Sequence, residues 1–394
     1  MIEIADIRVK DVLDKARLYC DLIVDNEKHS IWFEFDNQYK QYICTERIDG
    51  IVVNILLYCM ENGHSITSDI PISEKLYYQM VNFLIPTIAN NIKEYSKIKI
   101  NAPINSVPLK SKNAVGTGCS GGVDSFYTIL KNIDKPTKSF NITHLTFFNA
   151  GASGNFGGDK ARDRFHKRLE VMKNISGELN LPLIAVDTNI NEFLHQMHEC
   201  THTFRSLAIP LLLQKLFSIY YYSSGVEFAD MHFSYADTAY YDLLNCMCLT
   251  NENITFYPMG SETNRIGKIE SISESEIVEK YLNVCVKESV NCGLCEKCKR
   301  TLLEIYSLNK LNNFERVFNV NVFLRNKNKY IGEALAKKNS NIFSREVCQT
   351  FKKNKVKIPF SSKFFWHWYY KANMFMHRMY NLLNLKVWRK SCRK

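Results

Sequence analysis

Short apolar runs alternate with helical segments from Ala114 to about Leu308, and this alternation constrains the fold more than any other feature of the sequence. A run of five or six residues rich in β-branched and aromatic side chains predicts a buried strand, and the longer segment after it predicts a helix. Strands separated by helices of this length form βαβ units with a parallel sheet. The sequence therefore predicts an α/β fold whose functional residues lie beyond the carboxyl ends of the strands.

The chain is predicted to form three parts. An N-terminal α+β domain without a recognisable chemical motif covers residues 1–112, with strands at 17–25, 30–35 and 97–101 and helices at 50–62 and 73–94. The parallel-sheet domain covers residues 113–310, and a basic, aromatic-rich helical region covers residues 311–394. Within the sheet domain the strands are predicted at 115–119, 144–149, 183–187, 227–234 and 254–258, and the helices at 124–132, 159–180 and 205–223.

Composition excludes several classes of protein. With 46% hydrophobic and 23% charged residues among 394, the chain is globular rather than fibrous or largely disordered. No run approaches 18 consecutive apolar residues, so no spanning helix is predicted, and the first residues lack the apolar segment of a secretory signal. We therefore expect a cytoplasmic protein, whose clustered cysteines serve as metal ligands or catalytic groups rather than disulfides.

The net charge of +11 is concentrated at the carboxyl end of the chain. Residues 321–394 hold 18 Lys and Arg against two acids, a net +16, so the other 320 residues carry 33 basic and 38 acidic groups, a net −5. The same tail holds three of the four tryptophans. This composition is typical of a helix docked by its aromatic face, of an interfacial helix at a membrane surface, and of a segment that stacks on RNA. The sequence leaves these three open.

The segment GCSGGVDS, residues 118–125, follows a predicted strand and opens a predicted helix. Glycines let a backbone approach an anion closely, and the N–H groups of a helix start, together with the hydroxyls of Ser120 and Ser125, can donate to phosphate oxygens. Asp124 is placed to hold a Mg²⁺ that bridges two phosphates. The segment therefore predicts a phosphate-binding loop.

Two other phosphate loops share part of this pattern but differ at a required residue. The glycines at 116, 118 and 121 match the dinucleotide fingerprint, which needs an acid at the end of the second strand, where Asn149 stands instead. The kinase-type loop needs a lysine after its last glycine, and Val123 occupies that position. Both are therefore excluded.

Four cysteines, Cys285, Cys292, Cys295 and Cys298, lie within fourteen residues. Two Cys-x-x-Cys steps bring three thiolates together in a tight turn, and Cys285 supplies a fourth, which completes a closed tetrahedral Zn²⁺ site. An iron–sulfur cluster and a redox-active Cys-x-x-Cys are the alternatives. We favour structural zinc, because a redox pair leaves two cysteines unused.

A second cluster of metal-ligating residues comprises His195, His198, Cys200 and His202. On one helix the three histidines share a face from which Cys200 points away, so the spacing matches no regular metal site. A solvated helix end is the favoured interpretation. Metal binding and a persulfide carried on Cys200 are the alternatives.

The loop and the cysteines together resemble one enzyme family. SGGVDS after a strand resembles the pyrophosphate-binding loop (PP-loop) of the N-type ATP pyrophosphatases, and its combination with C-x6-C-x2-C-x2-C is similar to 7-cyano-7-deazaguanine synthase. The resemblance covers residues 115 to about 308. It implies a Rossmann-like fold of the HUP class, with a parallel sheet between helical layers, and it implies ATP, Mg²⁺ and structural Zn²⁺ as cofactors.

The resemblance also implies the site residues. Arg205 lies in a segment similar to the family's substrate-binding Pro-x-Arg-Asn, and Lys268 lies in one similar to its Lys-x-Glu helix start. Ser206 replaces the asparagine of the first segment, and a tyrosine at 240 or 241 replaces the proline of the family's Tyr-Pro-Asp, which implies a different acceptor. The implied ATP-binding residues are Ser120, Gly121, Gly122, Val123, Asp124, Ser125, Phe148 and Asn149. The implied catalytic residues are Asp124, Arg205 and Lys268, with Arg265 as an alternative cation. The implied substrate contacts are Arg205, Asp237, Tyr241 and Asp242.

The family's chemistry sets the expected function. Its members cleave ATP between the α and β phosphates, adenylate an oxygen of the substrate, and displace AMP with a nucleophile. We expect this chain to adenylate a carboxylate or carbonyl oxygen of a small molecule or glycan precursor and then transfer nitrogen or sulfur. Two alternatives stay open, an RNA-modifying enzyme that grips RNA with the basic tail and an ATP-binding regulator without catalysis. A peripheral position at the membrane is also left open.

Overall fold

A sheet of ten strands organises the amino-terminal two thirds of the chain. The computed structural model describes residues 1–286 and 290–391, and the side chains among them except those of 377 and 381–391. The chain divides into two compact units, Met1–Asn264 and Arg265–Lys394. The sheet belongs entirely to the first unit.

The strands are β1 Ile2–Val12, β2 Lys15–Val24, β3 Glu27–Asp36, β4 Ile66–Thr67, β5 Ile72–Ser73, β6 Ile100–Asn101, β7 Ile104–Asn105, β8 Ala114–Gly118, β9 His144–Phe148, β10 Leu183–Thr188, β11 Phe217–Ser223 and β12 Thr255–Met259. Ten of them form one sheet in the order β12-β11-β8-β9-β10-β3-β2-β1-β4-β6, and β5 pairs with β7. The first unit's helices are α1 Asp49–Asn62, α2 Glu74–Gln79, α3 Ile85–Asn91, α4 Val123–Lys131, α5 Asp159–Leu179, α6 Ile190–Leu194, α7 His202–Leu212 and α8 Asp242–Leu249.

Five neighbouring strands, from β12 to β10, run parallel to one another. Their carboxyl ends therefore meet at one edge, which collects the loops that follow β8, β9, β10, β11 and β12. Close packing beneath this edge requires a glycine in β8, because a Cβ at Gly116 would lie 2.6 Å from the ring of Phe217. The predicted mixed α/β fold with a mostly parallel central sheet is confirmed.

The N-terminal strands continue the same sheet. β3 pairs antiparallel with β10, so the hairpins of β1, β2 and β3 extend the parallel half. Packing between helices also crosses the predicted boundary at residue 112, since Gly50 of α1 lies so close to α7 that a Cβ there would be 2.5 Å from Leu212. Along the chain the first unit ends at residue 264, whereas the sequence predicts domain boundaries at residues 112 and 310.

Two predicted elements between residues 205 and 234 are wrong. The helix predicted over 205–223 ends at Leu212, and the last seven residues of that range form β11. The strand predicted over 227–234 does not form, and residues 228–230 make a short 3₁₀ turn instead. The run FSIYYYS is aromatic and β-branched, which favours a strand once the helix has ended after Pro210. The strand β1 was not predicted at all.

The second unit is helical in the part of the chain that the structure describes. Its helices are α9 Arg265–Ile272, α10 Glu276–Tyr281, α11 Glu296–Ser307, α12 Val320–Lys337, α13 Ile342–Lys353 and α14 His367–Ser391. Phe314, Phe323 and Phe351 are fully buried side chains of this unit. Among the described helices of the whole chain, none combines the length and the apolar character that crossing a bilayer requires.

Candidate functional site

The loop after β8 turns the chain sharply from strand into helix. Gly121 has φ +71°, the left-handed region that favours glycine. Gly122 is extended (φ −87°, ψ 172°), and α4 begins at Val123. The strand, turn and helix that the sequence predicts around GCSGGVDS are thus present in the structure.

Two serine hydroxyls hold the loop in shape. Ser125 Oγ donates to the carbonyl oxygen of Gly118 at 2.8 Å and accepts from the backbone N–H of Ser120 at 3.1 Å. Ser120 Oγ accepts from the backbone N–H of Gly122 at 3.3 Å. Ser125 is buried and Ser120 is exposed. The hydroxyl of Ser125, predicted to contact phosphate, therefore shapes the loop, and Ser120 is the hydroxyl that faces solvent.

The start of α4 offers a positive site beside the loop. The backbone N–H groups of Val123, Asp124 and Ser125 lie in the first turn, where no intrahelical acceptor exists. Arg168 of α5 adds a full charge, since its Nη2 donates to the carbonyl oxygen of Ser120 at 3.2 Å and its guanidinium lies 5.7 Å from the ring centre of Phe147. Burial lowers the pKa of Arg168. The sequence does not single out Arg168, because nothing within α5 separates it from the other basic residues of that helix.

The end of β9, where the predicted ATP-binding residues Phe148 and Asn149 lie, is tightly bonded within the protein. The backbone N–H of Asn149 donates to Val186 O at 2.8 Å, and its carbonyl oxygen accepts from Asn191 Nδ2 at 3.1 Å. Its side chain donates to Asp187 Oδ1 at 2.7 Å, and its buried Oδ1 has no hydrogen-bond partner within the described chain. Phe148 is half-buried. The backbone of Asn149 is thus engaged at both polar groups.

Arg205, predicted as a catalytic and substrate-binding cation, is fully buried in α7. Its Nη1 donates to Asn191 Oδ1 at 2.8 Å and its Nη2 to Gln196 O at 3.1 Å, while its buried Nε has no hydrogen-bond partner in the described chain. The guanidinium packs under the loop that follows β9, where a Cβ at Gly151 would lie 2.9 Å from Nη1. Burial lowers the pKa of Arg205 to about 10. Both Nη atoms of Arg205 are therefore bonded to protein groups.

A polar network lies at the carboxyl end of β11. Asp237 Oδ1 is 3.0 Å from His202 Nε2, and His202 Nδ1 is 2.7 Å from the hydroxyl of Tyr222. The Tyr222 hydroxyl is 3.2 Å from Thr203 Oγ1, which donates to Asp242 Oδ1 at 2.7 Å. The other oxygen of Asp242 accepts from Ser224 Oγ at 2.8 Å. Hydrogen bonds thus connect two carboxylates through an imidazole and two hydroxyls.

The two carboxylates of this network have opposite environments. Asp242 is fully buried, and burial raises its pKa from the ordinary 3.8 to about 7, although Thr203 and Ser224 donate to it. Asp237 is partly exposed, with 37% of its side chain accessible, and its Oδ1 also accepts from the backbone N–H of Ala239. Burial raises the pKa of Tyr222 well above its ordinary value. Asp237 and His202 are therefore the members of the network that face solvent.

Other predicted contacts are buried in their own unit. The ring of Tyr241 packs 5.5 Å from that of Phe233, and its buried hydroxyl has no hydrogen-bond partner among the described residues. Lys268 and Arg265 lie in α9 of the second unit, both buried, and Arg265 Nε pairs with the buried Glu304 at 3.1 Å. Of the four predicted substrate contacts, Asp237 is the one with an accessible carboxylate.

The four predicted metal ligands come together in the second unit. The Sγ atoms of Cys285, Cys292, Cys295 and Cys298 all lie within 4.8 Å of one another. Cys295 forms the N-cap of α11, where its Sγ accepts from the backbone N–H of Cys298. Asn291 fixes the approach of the chain, since its side chain donates to Leu282 O at 2.7 Å and accepts from the N–H of Val284 at 2.9 Å.

The spacing of the sulfurs matches a single ion. Sγ of Cys285 lies 3.9 Å from that of Cys295, and Sγ of Cys292 lies 4.0 Å from that of Cys298. Four thiolates at about 2.3 Å from one Zn²⁺ in tetrahedral geometry are about 3.8 Å apart. In a four-iron cluster each thiolate binds a different iron, and in a two-iron cluster the four thiolates divide between two irons, so thiolates on different irons need wider spacing. The four cysteines therefore have the geometry of a mononuclear metal site.

The cluster of histidines before α7 does not assemble as a metal site. Within the described parts of the chain, His195, His198, Cys200 and His202 are not among the groups whose ligand atoms converge. His202 joins the polar network instead, and its ring lies 5.4 Å from that of His198. Burial raises the pKa of the Cys200 thiol, which disfavours a reactive thiolate.

Comparisons of this chain with protein-family models, with curated proteins and with solved structures found no match.

Proposed function

We propose that this chain is an ATP pyrophosphatase of the PP-loop type, with a Rossmann-like fold of the HUP class, which adenylates an oxygen of its acceptor and releases pyrophosphate. The observation that carries the proposal is the loop between β8 and α4. The loop has a glycine in the left-handed conformation, a turn closed by the Ser125 hydroxyl, and a helix that starts at Val123. Such a loop suits the binding of a pyrophosphate group.

The chain's own groups explain how the triphosphate is bound. The first-turn N–H groups of α4 and the exposed hydroxyl of Ser120 donate to the β and γ phosphates. Arg168, beside the Ser120 carbonyl, balances the negative charge that grows on pyrophosphate as it leaves. Asp124, partly exposed in the first turn, fits a Mg²⁺ ligand, and the ion supplies further charge neutralisation when bound.

The acceptor side follows from the polar network. The adenylated group is a carboxylate or carbonyl oxygen of a small molecule or glycan precursor, and an amine, ammonia or sulfide then displaces AMP. β11 lies beside β8 in the sheet, so the pair formed by Asp237 and His202 lies at the same edge as the loop. Nδ1 and Nε2 of His202 are both hydrogen-bonded within the network, so the accessible carboxylate of Asp237 is the group that can take a proton from an amine nucleophile, with His202 orienting it. We therefore assign Asp237 the role of general base.

The cysteine cluster has a structural part in this proposal. Four thiolates around one Zn²⁺ leave no open position, so the ion stabilises the start of α11 and takes no step in the reaction. We place the reaction in the cytoplasm.

Pyrophosphate exchange tests the proposal. The purified chain is incubated with Mg²⁺, ATP and labelled pyrophosphate, with a low-mass metabolite pool in one arm and an RNA pool in the other. Label entering ATP only with the low-mass pool is the expected result, because reversible adenylation of a small acceptor exchanges the two outer phosphates. Label entering only with RNA would favour the RNA-modifying enzyme. Binding of ATP without exchange in either arm would favour the regulator.

A further inference from the structure

Helix α14 and the turn before it present two unlike faces. One face packs on α12 of the same unit. Gly332 lets the two helices approach closely, because a Cβ there would lie 2.3 Å from Trp366 Cβ. Asn328 Nδ2 donates to Ser361 Oγ at 3.1 Å, and the Tyr370 hydroxyl bonds to Glu333. The start of α14 is therefore anchored along this face.

The opposite face exposes large apolar side chains. Nine of them, among the described side chains of residues 360–380, are between 41% and 74% exposed: Phe360, Phe364, Phe365, Trp368, Tyr369, Phe375, Met376, Met379 and Tyr380. Six of the nine lie in α14 and form two parallel stripes, each with the helical spacing i, i+7 and i+11, whereas Phe360, Phe364 and Phe365 precede α14, the last two in a π-helical turn. At 100° per residue the six cover a sector of about 140°. An exposed apolar surface of this kind marks an interaction site.

The charge of the region indicates an anionic partner. Between Glu346 and the end of the chain there is no Asp or Glu, and there are twelve Lys and Arg. Lys371 and Arg378, both exposed, lie along one edge of the apolar sector, at about 40° and 60° beyond Phe375. Basic side chains at the edge of an aromatic face are typical of helices that lie in the headgroup region of a membrane.

We propose that this apolar sector docks on an anionic lipid surface, with its aromatic rings among the acyl chains and its basic residues on the headgroups. A second copy of the chain fits less well, because pairing the same faces would bring like charges together. RNA also fits less well. Rings that stack on bases alternate with polar groups along a basic groove, whereas here Phe375, Met376 and Met379 continue an apolar surface.

Vesicle sedimentation of the full chain tests this proposal. The probes are phosphatidylcholine vesicles with and without phosphatidylserine, at 0.15 M and 1 M salt. We expect strong binding only to the vesicles with phosphatidylserine, weakened by high salt. The double variant Trp368→Ala/Phe375→Ala should lose about tenfold or more of this binding, because both rings enter the lipid. The matched control is Tyr78→Ala/Phe83→Ala, an exposed aromatic pair of the first unit, which should bind like the wild type.

Several results would overturn the proposal. These are equal binding to both vesicle types, equal loss in the variant and its control, or no vesicle binding at all. If the double variant lost binding to single-stranded RNA while vesicles stayed unbound, the tail would be an RNA-binding segment. If it lost only a concentration-dependent dimer in sedimentation, the sector would be an interface between copies. None of these outcomes depends on pyrophosphate exchange, so the proposed activity and this proposal fail independently.

Discussion

The loop after β8 and the polar network after β11 lie on neighbouring strands of one sheet but are built in opposite ways. The loop draws its turn, its hydroxyls and its helix start from eight consecutive residues. The network gathers residues between positions 202 and 242, from α7, β11, the segment before α8 and the first residue of α8. A site of the first kind is visible in a sequence, and a site of the second kind appears only once the chain has folded.

The four cysteines of the metal cluster are close together in sequence, as the residues of the loop are. Unlike the loop, the cluster is expected to act on the stability of its unit. Replacing Cys292 with Ser should remove the zinc and unfold the second unit, since a structural Zn²⁺ site supplies about 10 kcal/mol of apparent stability. Metal content by mass spectrometry and thermal unfolding measure both effects. Cys348→Ser, in α13 of the same unit, is the control and should keep one zinc per chain. Retention of zinc and of the melting temperature in the Cys292 variant would contradict the assignment.

Asp124→Asn separates chemistry from folding at the loop. We expect adenylation to fall by about a hundredfold or more, because the amide is a poor Mg²⁺ ligand, while the melting temperature stays within about 2 °C. Pyrophosphate exchange and thermal unfolding are the measurements. Asp134→Asn, at a left-handed loop position that asparagine also accepts, should leave both unchanged. Full exchange activity in the Asp124 variant would remove this carboxylate from the site.

Asp242→Asn tests the network through pH. Folding keeps a proton on the buried Asp242 that the unfolded chain releases above the ordinary pKa of 3.8, so the carboxyl group makes the free energy of unfolding fall as the pH rises from about 4 to about 7. Above pH 7 its contribution is constant. The asparagine cannot titrate and should lack this decline, which amounts to at most about 4 kcal/mol. Urea unfolding at pH 4.5, 6 and 8 measures the free energy of unfolding of both proteins. If this free energy changed with pH equally in the variant and the wild type, Asp242 would be ionised throughout.

Gly121→Ala gives the smallest expected effect. An alanine at φ +71° costs about 1–2 kcal/mol. The matched control is Gly177→Ala within α5, where nothing lies within 4 Å of the new Cβ, which should stabilise the protein by about 0.5–1 kcal/mol. Urea unfolding distinguishes the two signs. If both variants gained stability, the left-handed turn would not be required.

The sequence predicted elements whose cause is local. The parallel strands, the helix at 159–180 and the convergence of four cysteines follow from periodicity and spacing. The elements that were not predicted depend on contacts between residues distant in sequence. The segment of β11 is predicted as helix because apolar residues continue through Pro210, whereas its aromatic and β-branched run, paired with β8 and β12, forms a strand. The edge between β3 and β10, which joins residues 1–112 to the parallel half, carries no sequence signal.

The candidate site follows the same rule. The strand, turn and helix around the loop are present as predicted. The hydroxyl of Ser125, however, donates to the backbone, and the cation beside the loop is Arg168 of α5, which the sequence does not indicate. The resemblance to the Pro-x-Arg-Asn segment predicts that Arg205 contacts a ligand, and the burial of this side chain beneath Gly151, with a bond to Asn191, is set by residues distant in sequence. His202 was assigned to a solvated helix end, whereas its partners lie 20 and 35 residues further along the chain.

The central claim is that this loop holds ATP for cleavage between the α and β phosphates. The most direct test is ³¹P NMR of the products formed by the purified chain with Mg²⁺, ATP and the low-mass pool that supports exchange. The account predicts AMP and pyrophosphate, in equal amounts and absent with Asp124→Asn. The appearance of ADP and inorganic phosphate would contradict it, because cleavage would then lie between the β and γ phosphates.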